Sequence, residues 1–202
     1  MAKEYNYDVE KAREEFEQIF KQNIKREGAD ALFDWLNRSD FFTAPCSSRY
    51  HSCFKGGLCL HSVNVYKRLK QNVIAEYGID YAKTISDESI AIIALLHDLC
   101  KTNFYKEDYR NVKVDGVWEK QPYYSVDDQL PYGHGEKSVY MISGFMKLTR
   151  EEAMAINWHM GGFDVRAQNN GNGLRTAYYQ FPMCALTHIA DLQATYLDEK
   201  GE

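Results

Sequence analysis

Whatever chemistry this chain performs must come from six histidines and a few aspartates set among apolar residues. His97 and Asp98 stand side by side after an apolar run, Ile90-Ala91-Ile92-Ile93-Ala94-Leu95-Leu96. Alone, a His-Asp dipeptide is weak evidence, since a chain of this size meets such pairs by chance. The other candidates are His61, His134, His159 and Asp191, each in a different segment. His61 shares a helical stripe with Leu58, Val65 and Leu69, which turns it toward a core. Asp191 lies within Leu186-Thr187-His188-Ile189-Ala190-Asp191-Leu192, where an unpaired buried carboxylate is costly. A metal or a cationic partner resolves that cost, and so does a helix face turned to solvent. His134 sits between Gly133 and Gly135 at a helix start, where bare backbone permits close approach and free amides favour an anion. His159 ends another helix, and its plainest use is interaction with the helix dipole.

Imidazole with carboxylate suits Mn, Fe, Zn and similar first-row ions, and cysteine is not needed. His97 and Asp98 are about 100° apart on a helix, so they cannot chelate as an i,i+4 pair does. Other helices must converge on that helix end, as in a bundle-interior site. The two oxygens of Asp98 could bridge two metals roughly 3.5–4 Å apart, the arrangement used on phosphoryl groups. Cys46, Cys53, Cys59, Cys100 and Cys184 show no Cys-x2-Cys spacing. A zinc knuckle of Cys46, Cys53 and Cys59 with His51 is weaker than the reading of free thiols in or near a core. An odd set of unpaired cysteines also favours a reduced, cytoplasmic setting.

The elements that must position these residues are mostly helical. At 202 residues and 45% hydrophobic the chain suits one domain with one well-buried core. A net charge of −5 gives no domain-wide basic footprint for long nucleic acid, and no window approaches a signal peptide or a membrane span. Asp8 caps a helix to about residue 26, and a second covers 29–37. Residues 39–54 read as irregular. Gly56-Gly57 opens a long helix to about 77, stopped by Gly78, and Ser86 caps the apolar helix that ends at His97-Asp98. Asp115-Gly116 marks a β-hairpin near 111–120, followed by loop from 122 to 131. Further helices are expected over 135–147, over 150–160 from a Thr149–Glu152 capping box, and over 182–199 from Pro182. Residues 161–173 read as loop. The fold class is mainly α, with seven or eight helices and one inserted hairpin.

Taken in order, His61, His97-Asp98, His134, His159 and Asp191 resemble the HD-domain superfamily of metal-dependent phosphohydrolases. The resemblance runs from about Arg49 to Thr195. Locally, Phe54-Lys55-Gly56-Gly57-Leu58-Cys59-Leu60-His61-Ser62 and the stretch from Leu96 to Lys101 look like the HD catalytic region of bacterial 3′→5′ exoribonucleases. It implies a single HD-type helical bundle over 1–202, with 1–45 a helical extension packed on a 49–195 core. It also implies His61, His97, Asp98 and Asp191 as ligands of a first metal, and His134 and His159 as ligands of a second, with Asp98 bridging. Lys101 matches a lysine that follows the pair and contacts phosphate. The metals implied are one or two divalent cations: Mn, Fe, Ni, Co or Zn, with Mg as an alternative. The usual glycine before that lysine is Cys100 here, and His159-Met160 stands where many dinuclear relatives carry two histidines.

The implied activity is hydrolysis of a phosphomonoester or phosphodiester by metal-activated water. Asp98 would hold metal and orient the water; Lys101 would offset charge on phosphate. Arg49, His51 and Lys55, just upstream of the His61 helix, are the substrate-contact candidates, and His188 could orient a ligand from behind. No Gly-Tyr-Pro signature of cyclic-di-GMP phosphodiesterases is present. A small phosphorylated substrate is expected, a nucleotide or short oligonucleotide, with no membrane partner; the oligomeric state is left open. HD-type diiron oxygenases share the ligand set and are the rival enzyme class, distinguished by oxygen uptake. A nucleotide-binding module without turnover is the third reading, and tight binding without product would mark it.

Overall fold

The structure, a computed structural model, describes residues 8–169 and 171–199. Nine α-helices and one two-stranded antiparallel sheet lie among the described residues: α1 Val9–Asn23, α2 Ala29–Arg38, α3 Gly57–Tyr77, α4 Asp87–Leu96, α5 His134–Ser143, α6 Arg150–Asn157, α7 Val165–Asn169, α8 Asn172–Gln180 and α9 Pro182–Gln193. The mainly α class with an inserted hairpin is as the sequence predicts.

Helix α4 is the axis. Every residue from Ser89 to Leu96 is buried, as expected for a helix that is apolar all round and wrapped by its neighbours. The Ser86 side chain accepts from Ser89 N and starts it. Phe16 and Phe20 of α1, Leu32 and Leu36 of α2, Leu58, Val65 and Leu69 of α3, and Ile142 of α5 close around it in one hydrophobic cluster. The first two helices thus share a continuous core with the rest.

A buried ion pair ties three element ends together at the far side from His97. The Arg26 guanidinium donates to both oxygens of Glu152, at 2.8 and 2.9 Å, and to Glu88 at 3.2 Å. Glu152 is fully buried, accepts also from Ser89 Oγ, and closes the capping box at the start of α6.

Three stretches depart from expectation. The hairpin is longer than the predicted 111–120: β1 is Tyr105–Val114 and β2 is Val117–Val126, so the first five residues of the expected loop are strand. Tyr123, Tyr124 and Val126 supply β propensity. In a two-stranded sheet both strands are edges, so Pro122, opposite Tyr109, is tolerated where a central strand would refuse it. The turn itself is as read, with Asp115 and Gly116 both at positive φ, +49° and +87°. The expected 161–173 loop instead holds a 3₁₀ turn, Gly161–Phe163, then α7 and the start of α8. Few apolar residues and the Gly171–Gly173 punctuation hide these from periodicity, although Asp164 caps α7 by accepting from Arg166 N at 2.8 Å. Finally α5 and α6 stop at Ser143 and Asn157, short of 147 and 160, and α9 gives way to a π-helical turn, Ala194–Asp198.

Candidate metal centre

Helix α4 ends at Leu96, and a 3₁₀ turn over Leu99–Lys101 tightens the chain just beyond it. Asp98 leaves helical geometry, at φ −101° and ψ 19°. The two side chains do not act as an i,i+4 pair; the break in the helix brings them together. With the helix over, His97 Nε2 comes within 3.4 Å of Asp98 Oδ2. The 3₁₀ turn also eclipses positions i and i+3, which lays Lys101 Nζ on Asp98 Oδ2 at 2.6 Å.

Four other elements deliver the remaining side chains. His61, on the first turns of α3, is buried, and its Nε2 stands 3.2 Å from Asp191 Oδ1, 3.3 Å from His97 Nε2 and 3.7 Å from Asp98 Oδ2. Asp191 comes from α9. His134, the first residue of α5, reaches Asp98 Oδ1 at 2.8 Å. His159, in the turn after α6, lies 3.5 Å from the same oxygen. α5 can come this close because a Cβ on Gly135 would fall 2.3 Å from the Asn157 carbonyl oxygen. All six ligand candidates of the sequence therefore meet in one place.

Asp98 divides them. Oδ1 faces His134 and His159, while Oδ2 faces His61, His97 and Lys101. Two groups of donor atoms, His61–His97–Asp191 and His97–Asp98–His159, are spaced to hold a cation, each with its atoms within 4.8 Å of one another. The ring nitrogens away from the cluster are fixed by backbone: His97 Nδ1 donates to Ala94 O at 2.8 Å and His159 Nδ1 to Ile156 O at 2.6 Å. Each Nε2 is thus left as a lone pair aimed inward, the tautomer a metal ligand needs. Among the described residues His159 Nε2 has no hydrogen-bond partner, its nearest oxygen being Asp98 Oδ1 at 3.5 Å, and a buried polar atom without a partner is costly. A cation is the partner that donor set fits.

The charges divide the imidazoles: burial opposes the charged form of His159, but Asp98 outweighs it and raises its pKa. Burial pushes His97 and His134 below the usual imidazole range, toward the neutral form. Asp98 is held well below the usual carboxylate range: burial opposes this, but Lys101 and the surrounding histidines outweigh it. Burial likewise opposes ionisation of Asp191, and His61 overcomes it. His61 itself is raised well above its usual value despite burial, by the neighbouring Cys46 sulfur and the Glu199 and Asp191 carboxylates. Asp191, half-buried at the cavity wall, has an imidazole as its cationic partner.

Among the substrate-contact candidates, Arg49 and His51 line a cavity of about 830 Å³ beside the cluster. Lys55 is exposed and does not line it. Asp98, Lys101, His134, His188, Asp191 and Glu199 belong to the polar part of its wall, with Tyr50, Tyr105 and Phe163 among the rest. His188 donates from Nδ1 to the His159 carbonyl at 2.7 Å, behind that candidate ligand. With His51, His134 and His188 in the wall and His61, His97 and His159 at its back, every histidine of the chain serves one site.

Sequence reasoning missed Glu199 and Tyr105, and set Cys46 aside as a free thiol in or near a core. Glu199 is buried, its carboxylate 3.0 Å from His61 Nδ1, with Ser52 Oγ and Asn64 Nδ2 donating to it at 2.7 and 3.1 Å. Burial opposes its ionisation, but His61 lowers its pKa to about 2. Such a carboxylate fixes the tautomer and raises the basicity of the imidazole in front of it. Glu199→Gln is expected to weaken metal binding by about 10- to 100-fold, measured by competition with a chelating dye; unchanged affinity would reduce Glu199 to a packing residue. Cys46 lies 3.4 Å from His51 and 3.3 Å from Lys101, and burial pushes its thiol up to about 12 in the metal-free chain. The zinc knuckle does not form: only Cys46 of its three cysteines gathers with His51, and the third member of that group is His61. No helix of the described residues is long and apolar enough to cross a membrane. No family model, no curated protein and no solved structure matches the chain.

Proposed function

We propose that the chain is a metal-dependent phosphohydrolase that cleaves a phosphomonoester or phosphodiester, of a nucleotide or short oligonucleotide, in the cytoplasm. The observation that supports it most is Asp98. One carboxylate turns each oxygen to a different set of imidazoles, Oδ1 to His134 and His159 and Oδ2 to His61 and His97, as a ligand shared between two cations would. His61, His97 and Asp191 would hold the first cation with it, and His134 and His159 the second.

Cations held there would lower the pKa of a bound water and polarise the phosphoryl oxygens. The chain's own residues do the rest. Lys101, only 12% exposed at its side chain, holds a fixed positive charge beside Asp98, placed to offset charge developing on phosphate. Arg49, in the cavity wall, is the cation left for the substrate's remaining phosphate oxygens. Tyr50, Tyr105 and Phe163 give the same cavity flat apolar surface on which a base can stack.

The test is elemental analysis of the purified protein, followed by a phosphoester screen under Mn, Fe, Co, Ni, Zn and Mg, with oxygen uptake measured in parallel. Bound metal with phosphate release supports the proposal. Bound iron with oxygen uptake and no phosphate release would replace it with the oxygenase reading. His134→Ala is expected to lower the metal content from two equivalents to one; an unchanged stoichiometry would remove His134 from the second position.

A further inference from the structure

Cys46 stands out once the histidine–aspartate set is accounted for. It is fully buried, and it is the single cysteine among the described residues that lines the cavity. Its Sγ lies 3.7 Å from Asp98 Oδ2 and 3.4 Å from His51 Nε2. With His51 and His61 it forms a group whose donor atoms all fall within 4.8 Å of one another. Donors bound to one cation at about 2.0–2.3 Å stand roughly 3.3–3.7 Å apart when tetrahedral. Both separations around the sulfur suit shared coordination, as do the 3.3 Å between His61 and His97 and the 3.2 Å between His61 and Asp191. Lys101 Nζ, 3.3 Å from the same sulfur, gives a thiolate a positive neighbour.

Cys100 is the competitor, since it gathers with Asp98 and His134. Its Sγ is nearly equidistant from the two nitrogens of the His134 ring, at 3.4 and 3.6 Å. That places it against the ring rather than along the lone pair of one nitrogen, and it does not line the cavity. Cys59 is committed elsewhere, donating to the Ala12 carbonyl of α1.

We propose that Cys46 supplies a thiolate ligand to the cation held between His61 and Asp98, with His51 beside it as the nearest further donor. This rests on the metal-centre reading given above. On ligation the S–H bond is replaced by a metal–sulfur bond, the proton leaves to solvent, and no oxidation state changes. A sulfur ligand makes the position softer, shifting its preference from Mg and Mn toward Zn, Fe or Co.

The test is a titration of the full-length, metal-free protein with Co²⁺, read by absorption. A sulfur-to-cobalt charge-transfer band in the near ultraviolet is expected to grow to saturation with bound cobalt. It should vanish in Cys46→Ser, or in Cys46→Ala where the serine variant folds poorly, and persist in Cys100→Ser and Cys59→Ser. X-ray absorption of the zinc-loaded protein should find one sulfur at about 2.3 Å, lost in the same variant. Cobalt bound without the band, or a band that survives loss of Cys46 or follows Cys100, overturns the proposal. A wild-type protein that retains no cobalt overturns the metal centre itself and the thiolate with it, an outcome the wild-type titration separates from all the others.

Discussion

Asp98→Ala is expected to empty the centre of metal and lower any phosphoester hydrolysis by about 10³-fold or more, the loss of a metal's several kcal/mol of charge stabilisation at about 1.4 kcal/mol per decade. No other single change should do as much. Asp98 faces His134 and His159 with one oxygen and His61, His97 and Lys101 with the other. Its removal strips one ligand from each position and leaves the Lys101 ammonium buried beside a cluster of imidazoles. Asp98→Asn keeps the shape, retains one acceptor oxygen and loses the charge, so it should fall between wild type and alanine. The checks are metal content by mass spectrometry and initial rate, with circular dichroism to show that the variant is folded. An Asp98→Ala protein that keeps its metal and full rate would move the centre away from α4.

The largest effect on stability belongs to Glu152→Ala. Removing one partner of a buried ion pair leaves the other uncompensated, at a cost of about 3–5 kcal/mol. Here Arg26, its side chain 19% exposed, would lose both Glu152 contacts and keep only Glu88 at 3.2 Å and the Lys147 carbonyl at 2.8 Å. For a chain of this size that corresponds to a drop in Tm of roughly 6–20 °C, read by thermal melts. Replacing both partners, Arg26→Met with Glu152→Leu, should recover part of the loss, because it removes the stranded charge while Glu88 keeps the Lys25 and Arg26 amides. If the single and double variants melt alike, the pair is not the cause.

The same pair sets a pH dependence. Burial raises the Glu152 pKa, but Arg26, the Thr149 amide and Ser89 outweigh it and hold the carboxyl below the usual glutamate range. A carboxylate depressed in the folded state stabilises fully above its unfolded pKa and loses that contribution as pH falls through the folded value. Acid sensitivity below about pH 4.5 should therefore be blunted in the double variant.

How much of this could be read from residues alone depends on how local the signal was. Ser86, the Thr149–Glu152 box, Pro182 and Asp115-Gly116 declare their elements because a cap or a turn acts over three or four residues. α7 and α8 declare themselves poorly: Val165 and Tyr179 are exposed, and α8 buries only Ala177, so no apolar stripe marks them. The candidate ligands were legible through their order along the chain. Their meeting needed the α5–α6 approach at Gly135 and the break after Leu96, which no periodicity shows. Cys46 was hidden in an irregular stretch, where spacing carries no direction.

Glu199 was hidden by arithmetic. Eight residues separate it from Asp191, which on a regular α-helix puts the two about 80° apart, yet both reach His61. The π-helical turn over Ala194–Asp198 lies between them. Such a turn acts as one surplus residue accommodated within a helix, so the pair is phased as if seven apart, about 20° from alignment. Two carboxylates on one helix thus grip the two nitrogens of a single imidazole from opposite edges. The wide turn is a phase shifter, and the orientation of His61 is kept in the count of residues between Asp191 and Glu199 as much as in their identities.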